Sequence, residues 1–132
     1  MTELALLSTA LLFGGTVLYA FGFAAFVFTA LPAETAGPLI RRAFPHFYLF
    51  VLGASALAAA LALPGDRLSS LLLALVAVST VFAREVLMPA INRATDMGQK
   101  RRFKALHTLS VFVTLVHIGL AGVVILRLAG GL

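Results

Sequence analysis

Four stretches of this chain are almost wholly apolar and about as long as a bilayer is thick: Leu4 to Ala30, Pro45 to Leu63, Leu68 to Met88 and Phe103 to Leu128. A helix needs about 20 consecutive apolar residues to cross the hydrocarbon core, so we read all four as transmembrane helices. In a chain of 132 residues little lies outside them. The expectation is a single transmembrane domain over residues 1–132, with no room for a soluble one. Composition agrees, with 61% of residues hydrophobic and only 11% charged; a soluble domain carries about 25% charged residues. The predicted fold is all-α, an integral membrane antiparallel four-helix bundle.

A cleaved signal peptide fits poorly. The first residues carry Glu3 and no Lys or Arg, and the apolar run is far longer than a signal h-region. The expectation is a mature first helix. The absence of cysteine excludes disulfides, thiolate metal ligands and thiol catalysis. A net charge of +5 would suggest nucleic acid in a soluble protein, but its distribution here argues against that partner. Arg41 and Arg42 lie in the first connection; Arg93, Lys100, Arg101, Arg102 and Lys104 lie in or beside the third. The second connection has only Arg67, beside Asp66, and the C-terminal end has Arg127. The positive-inside rule then makes connections one and three cytoplasmic and puts both termini on the other side. The expected location is the inner membrane, multi-pass, with the basic residues meeting anionic headgroups.

Turn signals divide the chain further. Helix one ends at Leu31-Pro32, and Ala33-Glu34-Thr35-Ala36-Gly37-Pro38 reads as a breaker-rich connection. Pro45 suits the first turn of helix two, where a missing N–H costs little. Pro64-Gly65-Asp66 reads as a tight turn with Asp66 as N-cap of helix three, making helices two and three a hairpin. Pro89 ends or kinks helix three, and Ala90 to Gln99 is expected to continue as a short interfacial helix. Pro32, Pro45 and Pro89 are therefore structural candidates.

Packing seams are sought in small residues, because helices in lipid associate through close van der Waals contact. Helix one offers Ser8, Gly15, Gly22 and Thr29 at steps of seven, with Tyr19 on the same side. Helix two offers His46, Gly53 and Ala60; helix three offers Ser70, Ala77 and Arg84, with Thr80 adjacent. Phe21, Phe23, Phe26 and Phe28 are spread around helix one and are expected mostly to face lipid. On helix four, His107, Ser110, Thr114, His117 and Ala121 recur every three or four residues, which keeps them on one face.

Ionisable groups inside membrane-length helices usually face a protein interior or a wet cavity. The seams would bring His46, Arg84 and His107 together at the basic end, with Tyr48, Glu85 and Ser110 as partners. His117 lies on the order of 15 Å deeper along helix four, near Tyr19. It reads as a core histidine bonded to Tyr19 or a serine, or as part of a function.

Three sharper readings stand beside simple capping and snorkelling. A histidine pair such as His46 and His107 would be the ligand set for haem b in a bundle. The stripe with Thr114 and His117 would line a path for protons or a small solute. Alternatively, the cluster is a polar lock in a subunit that binds or assembles another membrane protein. A four-ligand metal site is disfavoured by three histidines, no cysteine, and carboxylates only at Glu34, Glu85 and Asp96 on that side. No nucleophile elbow, metalloprotease motif, Walker A loop or dinucleotide fingerprint is present, so no catalytic residue is assigned.

The succession Leu31-Pro32, Gly37, Phe44-Pro45-x-x-Tyr48, Arg84 followed by Pro89, and Phe103-Lys104-x-x-His107-x-x-Ser110 resembles a family of small four-helix membrane proteins. That family is the domain of unknown function 4149, which includes transmembrane protein 205-like proteins of animals. The resemblance spans roughly Gly14 to Gly122. A more distant similarity links the family to copper-resistance D-like membrane proteins and a haem-binding protoporphyrinogen oxidase. The resemblance implies a fold and directs attention to Pro32, Pro45, Tyr48, Arg84, Pro89, His107 and Ser110. His46 and His117 are outside its pattern, and it supplies no reaction.

The reading that follows is a non-enzymatic integral membrane protein, an accessory or assembly subunit for other membrane proteins. The alternatives are a haem- or metal-handling redox protein and a small-solute or proton pathway. Small-residue seams permit homo-oligomers as readily as an intrachain bundle.

Overall fold

The computed structural model describes residues 1–132 as four rods and no strand. They are α1 (Thr2–Ala30), α2 (Ala33–Ala62), α3 (Arg67–Asp96) and α4 (Lys100–Leu128), each long and apolar enough to cross a membrane. Short connections force successive helices to run antiparallel. Contacts run from α1 to α2, α2 to α3, α3 to α4 and back from α4 to α1, while the diagonal pairs scarcely meet. The result is a closed up-down ring of four helices.

Much of the surface is apolar. Leu7, Leu18, Phe26, Leu71, Val78 and Phe112 each remain more than 60% exposed. Apolar surface on that scale is a liability in water and suits hydrocarbon. The chain is a multi-pass integral membrane protein. Phe21, Phe26 and Phe28 are among the outward-facing residues, whereas Phe23 is half-buried against Tyr19.

Between α1 and α2 only Leu31 and Pro32 are extended, and Pro32 stands at the N-cap position of α2. The expected connection over Ala33–Pro38 is instead the first turns of α2. Pro45, expected in the first turn, lies well inside that helix together with Pro38. Each proline deletes one intrahelical bond. Membrane helices tolerate prolines, and the Pro45 turn is tied to its neighbours by Tyr19, which donates to the Ala43 carbonyl, and by Arg84, which donates to that of Pro45.

The α2–α3 turn follows the sequence closely. Asp66 caps α3, its carboxylate accepting from the Leu68 and Ser69 N–H groups at 3.1 Å each. Pro89 does not end α3, which runs on to Asp96; it follows a π-helical segment, Ala83–Leu87. The Met88 N–H reaches back five residues to the Ala83 carbonyl, widening the turn just before the proline ring. A second π-segment, Leu18–Phe23, interrupts α1. Helix α3 stops at Gly98, whose φ of +66° closes a Schellman motif through Gln99 N–H to the Ala94 carbonyl (2.9 Å).

Of the seam expected on α3, Ser70, Ala77 and Thr80 are buried and Arg84 is half-buried. The seams of α1 and α2 are rotated from the expected ones. On α1 the buried row is Ala5, Thr9, Leu12 and Thr16, while Gly22 and Thr29 face outward. On α2 the buried row is Phe47, Val51, Ser55 and Ala58, while His46, Gly53 and Ala60 are exposed. A buried hydroxyl costs little here because it donates to its own helix: Thr9 to Ala5, Thr16 to Leu12, Ser55 to Val51 and Thr80 to Val76, all at 2.6–2.7 Å.

Candidate functional site

The helices part at the basic end. Helix α1 packs on α4 through Thr2–Val17; below its π-segment the two separate. The gap is a cleft of about 520 Å³ lined by residues of all four helices. Phe28 of α1, Phe44 and Tyr48 of α2, Met88 of α3, and Phe103 and His107 of α4 shape its walls. Polar groups among the lining are Arg41, Tyr48, Asn92, Thr95, His107 and Ser110.

Tyr48 is 6% exposed. Its ring belongs to an aromatic cluster around the Pro45 turn, with Phe47 at 5.4 Å and Phe44 at 6.1 Å between centroids. Tyr19 stacks on Phe47 at 5.1 Å and donates its hydroxyl to the Ala43 carbonyl at 3.0 Å. The Tyr48 hydroxyl has no partner in the chain. No side-chain oxygen or nitrogen is both fully enclosed and unpaired, so that hydroxyl opens into the cleft its residue lines. His107 stacks on Phe103 at 5.5 Å, with the rings 9° from parallel, and its ring nitrogens are free of protein partners. Ser110 donates to the His107 carbonyl at 2.7 Å.

Of the expected cluster, Tyr48, His107 and Ser110 therefore share one cleft. Arg84 and Glu85 lie outside it. Arg84 donates from Nε to the Pro45 carbonyl at 3.4 Å and pairs with Glu85 at 2.6 Å, tying α3 to the proline turn of α2. His46 does not join His107. Two residues along a helix is about 200° of rotation, so His46 turns away from the face that carries Phe44 and Tyr48, and it is exposed. Of the histidine pair offered as a haem ligand set, only His107 lines the cleft.

The deeper stripe behaves differently. Thr114, His117 and Ala121 are buried, and His117 Nε2 lies 2.7 Å from the Ser79 hydroxyl of α3. Of the two partners foreseen for His117, a serine holds it, because Tyr19 is engaged with α2. Thr114 donates to the Ser110 carbonyl at 3.0 Å.

Two ion pairs were not foreseen. Arg41 grips Asp96 with two bonds of 2.6 and 2.9 Å at the cleft mouth. Arg127 reaches Asp66 at 3.0 Å and Ser69 at 3.3 Å at the opposite end. The Arg127 guanidinium, with the Ser69 hydroxyl and N–H, holds the Asp66 carboxyl well below the usual carboxylate range. Both pairs join residues more than 50 positions apart, so a sequence shows them only once helix register is known.

The family described as domain of unknown function (DUF4149) matches residues 7–100. The chain belongs to this family. The matched part covers nearly all of α1, α2 and α3 and contributes most of the cleft lining, Tyr48 included; Arg84 and the prolines at 32, 45 and 89 also fall within it, outside the cleft. It stops at Lys100, before His107, Ser110, Thr114 and His117. No curated protein and no solved structure matches the chain.

Proposed function

We propose that this DUF4149 protein is a non-enzymatic accessory subunit of the inner membrane, which acts by holding another membrane protein rather than by turning over a substrate. The observation that carries this reading is how its polar side chains are used. Arg84, Arg41, Arg127, His117, Tyr19 and Ser70 each reach across to a neighbouring helix or turn. A bundle locked in this way behaves as a scaffold. Along the outer face of α1, Gly15 and Gly22 lie in a groove with Leu18, Phe26 and Phe50. Gly15 is covered by the Phe50 ring of α2, whose atoms would lie 2.5 Å from an added Cβ, so it is Gly22, which meets only Leu18 of its own helix, that lets a foreign helix come close.

The orientation that goes with this reading places the basic end in the cytoplasm and both termini across the membrane. A reporter fused to the C-terminus is then active only on the non-cytoplasmic side. The alternatives draw less support. His46 faces away from His107, which weakens the haem reading. The hydroxyls of Ser110 and Thr114 donate to carbonyls of their own helix, so a proton wire along α4 would first have to break those bonds. Purification in mild detergent is expected to co-isolate a larger membrane protein with the wild type and to lose it with Gly22→Leu, which fills the groove. A wild-type protein that runs alone as monomer or homodimer overturns the accessory role.

A further inference from the structure

We propose that the basic-end cleft is a binding site for one anionic glycerophospholipid. The inference is independent of a protein partner, which the preceding reading puts on the outer face of α1. Tyr48 is the first observation. It is more than nine-tenths buried, yet its hydroxyl has no partner and opens into the cleft. A hydroxyl that faces a cleft from an otherwise buried ring is matched by an acceptor bound there. The unpaired Asn92 amide and His107 ring line the same space and add further donors. Glycerophospholipids present acceptors, two ester carbonyls and a phosphate, and donors such as these match the ester region.

Shape and charge select the same ligand. About 520 Å³ falls within the roughly 300–1,000 Å³ of small-molecule sites, and the walls of Phe44, Met88 and Phe28 suit acyl methylenes. The separation of α1 from α4 below Val17 gives the chains a lateral exit into the bilayer. At this end stand exposed Arg42, Arg93, Lys100, Arg101, Arg102 and Lys104, against Glu34, the Arg84-bound Glu85 and the Arg41-bound Asp96. That excess of cations favours a negative headgroup over a zwitterionic one.

The test is native mass spectrometry of the purified chain titrated with phosphatidylglycerol or phosphatidylcholine. One phosphatidylglycerol should be retained, at least tenfold more tightly than phosphatidylcholine. Tyr48→Phe keeps the ring and should weaken retention roughly three- to tenfold, the value of one hydrogen bond. The double variant Lys100→Gln/Lys104→Gln should lower the preference for phosphatidylglycerol without touching the cleft walls. Ser110→Phe should abolish the adduct while the thermal midpoint of the apo protein stays unchanged. Equal retention of the two lipids overturns the proposal, as does wild-type retention by Tyr48→Phe. Displacement of the lipid by inorganic phosphate would also overturn it, since the site would then read the phosphate alone.

Discussion

At the end where the chain begins and finishes, α1 and α4 lie side by side. Ala5, Leu12, Leu73 and Val124 fill the space between the helices, and the Asp66–Arg127 pair closes the turn over them. At the basic end the same two helices part. There α2 carries Pro38 and Pro45, α3 carries Pro89, and both α1 and α3 pass through π-segments. Regular helices with small residues pack shut. Helices whose hydrogen-bond ladder is interrupted change direction and leave room between them. The opening therefore coincides with the prolines and π-turns of the backbone.

Core truncation is the largest lever on this contrast. Leu73, fully buried in the closed half, should lose about 2–5 kcal/mol on replacement by alanine, because its neighbours cannot collapse into the space. Met88 borders the open cleft, so Met88→Ala enlarges a space that already exists and should cost less than about half as much. Reversible unfolding in mixed micelles measures both. Equal losses would mean that the two halves are packed alike.

Gly98 comes next. Its φ of +66° costs a side-chain-bearing residue about 1–2 kcal/mol, so Gly98→Ala should destabilise by that amount. The control Gly119→Ala, with open space at the added methyl, should not destabilise. Identical behaviour would remove the conformational argument for the α3 terminus.

The closed end also carries a pH signature. The folded state holds the Asp66 carboxyl below its unfolded value, so its contribution is complete above the unfolded pKa of about 4. That contribution is lost as pH falls through the lower folded value. The thermal midpoint should therefore decline in the acid range, and Asp66→Asn should flatten the part of the decline that this carboxylate causes. An unchanged profile would show that the Arg127 contact does not hold in solution.

How far these features were legible in the sequence depends on what generates them. Helix number and the Asp66 cap follow from apolar length and turn chemistry, which are local. The seam of α3 was legible because Ser70, Ala77 and Thr80 interrupt an otherwise aliphatic helix. The seams of α1 and α2 were not. Gly15 and Ser8 are small, but Thr9 and Thr16 serve the interior just as well once their hydroxyls bond back to their own helix. In lipid no hydrophobic gradient separates inside from outside. The start of α2 was missed for a related reason: Gly37 and Pro38 break helices in water but are tolerated in a membrane bundle. Within the site, Tyr48, His107 and Ser110 do share a cleft. His46 is exposed and turned from the face that carries Phe44 and Tyr48, a matter of rotation that small-residue spacing does not fix.

The finest effect concerns the polar contact between α3 and α4, His117 with Ser79. It lies in the interior at 2.7 Å, but polar contacts between membrane helices average only about 0.6 kcal/mol and reach about 1.7. The Ser79 hydroxyl also has the Leu75 carbonyl at 2.8 Å, so it keeps a partner when the histidine is removed. A double-mutant cycle of Ser79→Ala and His117→Phe should give a coupling near 0.6 kcal/mol, with His117→Phe preserving most of the ring volume. A coupling at or above the upper figure would make this contact a principal clamp between α3 and α4, and the closed half would then depend on polarity as much as on packing. A coupling of zero would leave close packing of small side chains as the whole explanation for the closed half.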